Sequence, residues 1–404
     1  VKRLLRALFD RVARDQPGII AVTFADGTEW SSRAGAPSVT IRFRTPSAER
    51  RTVLFGYVGF FQAWFDGEIE LEGDRPVSTL MHMAYRSAYR YGANPLITLK
   101  RMMLERRDNN RDLATAKANA RRHYGLPFDF FRMMLGEDCL YAEGLWEGNA
   151  DTLEAAQRRR CEAICRKLHL APGQRLVEVG SGWGEMALHA AARHGAEVVN
   201  YGLVPEQNAV MQARIDARGL GGRVTIVEKD HRALAEEKAR YDAYVSVGVF
   251  EHAGLRQLPE WVAGIAEALK PGGIGLISTT AYMRQYPTEY LTIRHVFPGG
   301  HVPSLPRLLA LLDQAGLHVV LVEELGWHYQ RTAEAWLANF EARWEEIAAL
   351  DPTRFTERFR RIWTYYLAGV IEGFRAGGSG LCLHHITFTK GRRQWPPGTA
   401  EAGG

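Results

Sequence analysis

"RLVEVGSGWGEMALHAAARHG", residues 175–195, is the stretch on which the fold turns. RLVEV is apolar but for one acid, Glu178, and reads as a buried strand, while EMALHAAARHG reads as the helix that follows it. Gly180, Ser181, Gly182, Trp183 and Gly184 make the turn between the two. Glycines at such a turn let a ligand come against the backbone, because no Cβ stands in the way. The spacing is G-x-G-x-G with an acid two residues ahead, which differs from the G-x-G-x-x-G of dinucleotide sites.

The alternation continues outward. EVVNYGL is a strand, PEQNAVMQARIDARG a helix closed by glycine, and VTIVEKD, AYVSVGV and GIGLIST are further strands, with LKPGG as a tight turn before the last. An α/β fold with a parallel, doubly wound sheet is therefore expected over residues 123–390. VEKDHRAL places Asp230 and His231 after the third strand, where an acid can meet an adenine amine, and VSVGVFEHAG ends the fourth strand in Glu251 and His252. Residues 1–90 read as a smaller α+β domain in which IIAVTFADGTEW and SVTIRFRT are short strands. The segment FGYVGFFQAWFDGEIELEGD carries six aromatics, a composition that suits a core or a groove for an acyl chain. Residues 91–122 are polar and basic, a linker or an exposed helix, and 391–404 read as a flexible tail.

Composition narrows the class. The 404 residues are 46% hydrophobic and 24% charged, which is globular and long enough for two domains. No apolar run reaches the roughly 18–20 residues that span a bilayer. The four cysteines, Cys139, Cys161, Cys165 and Cys382, do not form a disulfide pattern, and Cys161 and Cys165 lack a histidine at zinc spacing, so packing in a reducing cytoplasm and no metal are expected. Net charge is +5, and VKRLLRALFDRVAR at the start carries five basic residues and one acid on an amphipathic helix. That helix either lies on an anionic membrane or packs its apolar face on its own domain. No basic patch interleaved with aromatics supports nucleic-acid binding.

The ordered set of glycine turn, Asp230, Glu251 and LKPGG resembles class I S-adenosylmethionine-dependent methyltransferases over residues 123–285, with another kind of nucleotide-binding α/β domain as the competing reading. The resemblance sharpens with HYGLPFDFFRMMLGEDCLYAEGLW, SVGVFEHAG, VFPGGHVPS, WHYQRTAEAW and RIWTYYLAGVIEGFRAGGSGLCLHHITFTK, which together look like the cyclopropane fatty acid synthase family. FDGEIELEGD looks, more loosely, like that family's smaller lipid-binding domain. The resemblance implies S-adenosylmethionine held by Tyr141, Glu178, Gly180, Ser181, Gly182, Trp183, Gly184, Gln207, Asp230, His231 and Gly248. It implies unsaturated acyl chains of a phospholipid bilayer as substrate, a cytoplasmic enzyme peripheral on the inner membrane surface, a homodimer, and a separate oxidoreductase in branched-chain pathways. Tyr365, Tyr366, Phe374 and Arg375 match a segment that lines the acyl tunnel, or are packing.

One departure bears on chemistry. Cyclopropane-forming members hold a bicarbonate base with a cysteine, a glutamate, a histidine and a tyrosine. Here the cysteine falls on Glu143 of YAEGLW and the histidine on Ser278, while Glu251 and Tyr329 are kept. A carboxylate offers the same pair of anionic oxygens as bicarbonate, tethered to the chain. Glu143 is accordingly read as a built-in general base positioned by Tyr329, with Glu251 ordering the site. The altered set resembles the branched-chain and furan fatty acid methyltransferases, which implies a methylene- or methyl-branched product. A cyclopropane product and a non-catalytic lipid-binding protein are the alternatives.

Overall fold

A computed structural model describes residues 1–87, 94–148, 151–254, 256–375 and 380–391. Most of the expected tail, 391–404, lies outside these residues. The chain forms two compact units, and each is built from separated segments. The first unit is 1–107 with 289–296 and 333–380, and the second is 108–288 with 297–332 and the strand that starts at Leu381. The expected division into 1–90, a linker 91–122 and 123–390 differs from these units, since 91–107, 289–296 and 333–380 also belong to the first. Helices Tyr290–His295 and Glu357–Phe374 return to the first unit because their apolar faces are covered there, Phe61 and Phe65 meeting Tyr365 at 4.6 and 5.5 Å between ring centroids.

In the first unit, β1 (Ile20–Thr23), β2 (Glu29–Ser31), β3 (Val39–Phe43) and β4 (Ile69–Glu72) form a sheet in the order β2-β1-β3-β4. β3 alternates buried and open positions, as a strand covered on one face must. Thr45 caps helix Pro46–Phe55 by accepting from Ala48 N, with Pro46 in the first turn. The aromatic segment becomes helix Tyr57–Phe65, with Phe60, Phe61, Trp64 and Phe65 buried. The first helix, Lys2–Ala13, buries Leu5, Phe9, Val12 and Ala13, so its apolar face is spent on its own unit.

The second unit holds β5 (Arg175–Val179), β6 (Glu197–Tyr201), β7 (Val224–Val227), β8 (Tyr241–Val247), β9 (Leu269–Tyr282), β10 (Leu317–Glu324) and β11 (Leu381–Lys390). Their order is β10-β11-β9-β8-β5-β6-β7. β7, β6, β5, β8 and β9 are mutually parallel, and β11 and β10 run antiparallel at one edge. β5 has four of its five residues buried, which explains its unbroken apolar run. LKPGG is not a turn ahead of β9 but lies inside it: pairing with β8 jumps from Tyr241↔Leu269 to Ala243↔Ile274, and the extra residues bulge out at Gly272, φ 75°. The segment read as a linker contains two helices, Pro95–Arg107 in the first unit and Leu113–Tyr124 in the second.

Candidate active site

At the carboxyl ends of β5 and β8 the sheet order reverses, and a cavity opens there, where α/β sheets bind ligands. Tyr141, Glu178, Gly180, Ser181, Gly182, Trp183, Gln207, Asp230, His231 and Gly248 all line it. Gly184 does not. A Cβ at that position, where φ is 95°, would stand 2.5 Å from Met211 Cγ, so the glycine serves close packing at the start of helix Glu185–His194. Gly180 combines φ 76° with a Cβ position 2.7 Å from Val249 Cγ2, which leaves room for no larger residue.

Three buried polar atoms of residues lining this cavity lack a hydrogen-bond partner among the described residues, Arg160 Nε, Glu178 Oε2 and His231 Nδ1. Burial pushes the Glu178 carboxyl up to about 8, against the charge of Arg160. His231 stacks on Trp261 with 3.9 Å between centroids, and burial lowers its imidazole to about 4. Phe250 lies on the same indole at 4.3 Å and is core rather than cavity lining. Asp230 caps the turn His231–Glu236 through Arg232 N and pairs with the Arg232 guanidinium. Helix Leu113–Tyr124 closes one side with Ala116, Asn119, Ala120 and Tyr124, and is tied across by the pairs Lys117–Glu228 and Arg121–Glu206. Orphaned acceptors, a flat aromatic shelf and a Cβ-free backbone turn fit a nucleoside-bearing ligand such as S-adenosylmethionine.

Glu143 stands apart from this cavity's lining, though its neighbours Tyr141 and Ala142 belong to it. Its side chain is 1% exposed. Ser278 Oγ donates to Oε1 at 3.0 Å, and His385 Nε2 lies 2.6 Å from the same oxygen. Burial alone would raise this carboxyl; the His385 hydrogen bond and the nearby Arg160 charge outweigh it and hold the group below the ordinary glutamate value. The loop is fixed from outside as well. Thr332 Oγ1 accepts from Gly144 N and Trp146 Nε1, both at 2.9 Å, His328 Nδ1 accepts from Trp146 N, and Leu145 N donates to Ala156 O. Gly144 is needed because a Cβ would sit 2.8 Å from that of Ala156.

Glu251 accepts from Thr280 N at 2.6 Å, two residues along β9 from Ser278, and its Oε2 is buried without a partner among the described residues. Burial raises this carboxyl, so the two acids are driven in opposite directions. Tyr329 lies in helix Gly326–Ala342, the helix that also supplies His328 and Thr332. The side chains that anchor Glu143 in the structure, Ser278 and His385, were not assigned that role from the sequence, and neither was buried Arg160. The structure shows the relation that the sequence hides: His385 is the direct cross-strand partner of Ser278 on β11, so an imidazole missing from one strand stands on its neighbour. Cys165 also gains histidines through folding, its sulfur and the imidazole nitrogens of His189 and His194 lying within 4.8 Å of one another. Glu162 Oε2 meets both Nε2 atoms at 3.1 Å and satisfies them without an ion.

Residues 111–383 match the family described as mycolic acid cyclopropane synthetase. The chain belongs to this family. It is 32% identical to a probable fatty acid methyltransferase of Pseudomonas putida, over 88% of each chain. It is 31% identical to the cyclopropane-fatty-acyl-phospholipid synthase of Escherichia coli, over 88% of this chain and 89% of that one. Among solved structures, a mycolic acid cyclopropane synthase complexed with SAH and CTAB superposes with a TM-score of 0.62 at 27% identity, over 68% of this chain and 98% of that one. This family member is an S-adenosylmethionine-dependent lipid methyltransferase with the class I α/β fold expected from residues 175–195.

Proposed function

We propose that the enzyme methylates the cis double bond of an unsaturated acyl chain carried by a membrane phospholipid, and that Glu143 removes the proton that ends the reaction. S-adenosylmethionine, when bound, supplies an electrophilic methyl on a sulfonium. An alkene is a weak nucleophile, and its attack on that carbon leaves a cation on the chain. The protein must keep water from this cation and offer one base in the right place. A cation of this kind is a very strong acid, so the base need not be strongly basic, only ionised and dry. Glu143 is completely buried with Ser278 Oγ and His385 Nε2 on one oxygen, and this geometry is the observation that carries the reading.

Whether a hydride shifts before the proton leaves sets the product. Direct loss from the added carbon closes a cyclopropane, whereas loss after a hydride shift leaves a methylene, from that same carbon, or an internal methyl-branched alkene, from the chain. A base tethered at residue 143 in place of a mobile ion supports the branched product. The cyclopropane reading is favoured by one feature, the retained pair Glu251 and Tyr329. Lipid mass spectrometry and proton spectra from a host given this chain alone decide between them. Vinylidene protons support the proposal, and upfield ring protons overturn it. A methylene product calls for a reductase that adds hydride and proton, and a homodimer belongs to the same reading.

No helix among the described residues is long and apolar enough to cross a membrane. Peripheral contact on the inner, cytoplasmic surface is proposed to run through helix Pro95–Arg107. Leu96, Leu99, Met102 and Met103 are 43–59% exposed there, beside exposed Lys100, Arg106 and Arg107. Sedimentation with anionic vesicles should fall on replacing Leu99 and Met103 by serine, and unchanged binding would remove this helix from the reading.

A further inference from the structure

The chain of contacts behind Glu143 does not stop at His385. His385 Nδ1 lies 3.0 Å from Lys167 Nζ, at the end of helix Leu153–Lys167, and Lys167 Nζ forms an ion pair of 2.5 Å with Glu323 of β10. Exposure rises along this line: the Glu143 and His385 side chains are 1% and 0% exposed, Lys167 16% and Glu323 31%. A lysine ammonium has three donors and no acceptor, so the imidazole nitrogen facing it must carry the lone pair. A neutral imidazole has one donor and one acceptor nitrogen, which leaves the proton on Nε2, pointed at the glutamate.

We propose that Lys167, held by Glu323, fixes His385 as the Nε2-protonated neutral tautomer, which orients Glu143 by donating to Oε1 and assigns the substrate proton to Oε2. The inference rests on the reading of Glu143 as the base and names the residues that position it. In the step itself a C–H bond on a carbon next to the cationic centre breaks, its electron pair becomes the π bond of the branched alkene, and the proton forms an O–H bond at Oε2. Glu143 becomes a neutral acid, and the imidazole neither gains nor loses a proton. Ser278 Oγ adds a second donor to Oε1, so both anchors load the same oxygen. Lys167, His385 and Glu323 are positioning residues, since their effect passes through Glu143.

The arrangement explains why the family's histidine can be absent from position 278. Ser278 and His385 are paired across β9 and β11, so the imidazole reaches the same place from the neighbouring strand. There it also meets the lysine that selects its tautomer.

The test is nitrogen NMR of the full-length chain labelled with 15N-histidine, with His385 identified among 13 histidines by the signals lost in His385→Gln and His385→Asn. At neutral pH the account expects an unprotonated Nδ1 and a protonated Nε2. Lys167→Met should admit the other tautomer or the imidazolium, Lys167→Arg should restore the wild-type pattern, and Glu323→Gln should produce a partial change. The same Lys167→Met variant should lose about tenfold in kcat, a typical cost for a group that orients a reacting one, with KM little changed. A protonated Nδ1 in the wild type, or a Lys167→Met spectrum identical to it, overturns the proposal. The spectra do not depend on turnover, so full activity in Glu143→Gln with the expected tautomer would remove the base and leave the tautomer assignment standing.

Discussion

Glu178 and Glu143 are both buried carboxylates beside the same buried cation, Arg160, yet they end in opposite states. Glu178 is left with an oxygen that no described residue satisfies, and its carboxyl is pushed up to about 8. Glu143 receives Ser278 and His385 and is held below its ordinary value despite complete burial. The contrast separates two kinds of preparation. At the cofactor end the protein leaves an acceptor for a ligand to complete. At the proposed base end the protein completes the acceptor itself, with Ser278 and His385 on the carboxylate before any substrate arrives.

The largest effect should come from disturbing the completed end. Glu143→Gln keeps the shape and removes the charge, and should lower kcat by about 10²- to 10⁴-fold, the usual share of a general base, while S-adenosylmethionine binding by calorimetry stays the same. Glu178→Gln should do the reverse: weaken cofactor binding roughly 10- to 100-fold, as for loss of a hydrogen bond to a charged group, with the chemical step in saturated enzyme little altered. If both variants failed in the same measured step, the division between the ends would be wrong.

The same comparison predicts a pH dependence. Without cofactor, Glu178 keeps its proton in the folded chain up to about pH 8, whereas the unfolded chain releases it near the ordinary value of 4.5. Stability from this group therefore falls as pH rises between those limits. Denaturation of wild type and Glu178→Gln should diverge over that window, with the variant gaining relative stability toward pH 8. Cofactor binding that ionises Glu178 should release protons near pH 7.5, visible as a binding heat that varies with buffer ionisation enthalpy and disappears in the variant.

Smaller effects sharpen the outline. Gly184→Ala should cost about 1–3 kcal/mol of stability, measured by denaturant unfolding, because its Cβ would press on Met211, with cofactor affinity nearly kept. Ser278→Ala removes the weaker of the two donors to Oε1, worth about 1 kcal/mol, and should slow turnover by roughly fivefold.

The two ends also differ in how far they were legible before folding. The cofactor end is written in short local motifs, since a strand, a glycine turn and a helix start must be contiguous to make a cradle. Nearly every residue expected there lines the cavity, and Gly184 is missed because packing and ligand contact both select glycine. The proposed base end joins residues 143, 160, 167, 278, 323 and 385, which share no motif and meet only through sheet order and register. Position 143 was marked by an acid in an apolar run, but its partners were hidden: Arg160 in a run of three arginines, and His385 in a pair of histidines of which one is a structural neighbour on the opposite face. Domain limits were obscured for a related reason, because helices that return to the first unit are far from it in sequence.

The central claim is that the anion which ends the reaction is part of the chain. Turnover of wild type and of Glu143→Cys on unsaturated phospholipid vesicles, in bicarbonate-depleted and bicarbonate-replete buffer, tests it most directly. The account predicts a wild-type rate indifferent to bicarbonate and a cysteine variant that is slow without the ion and recovers with it. A wild-type rate that rises with bicarbonate would contradict it.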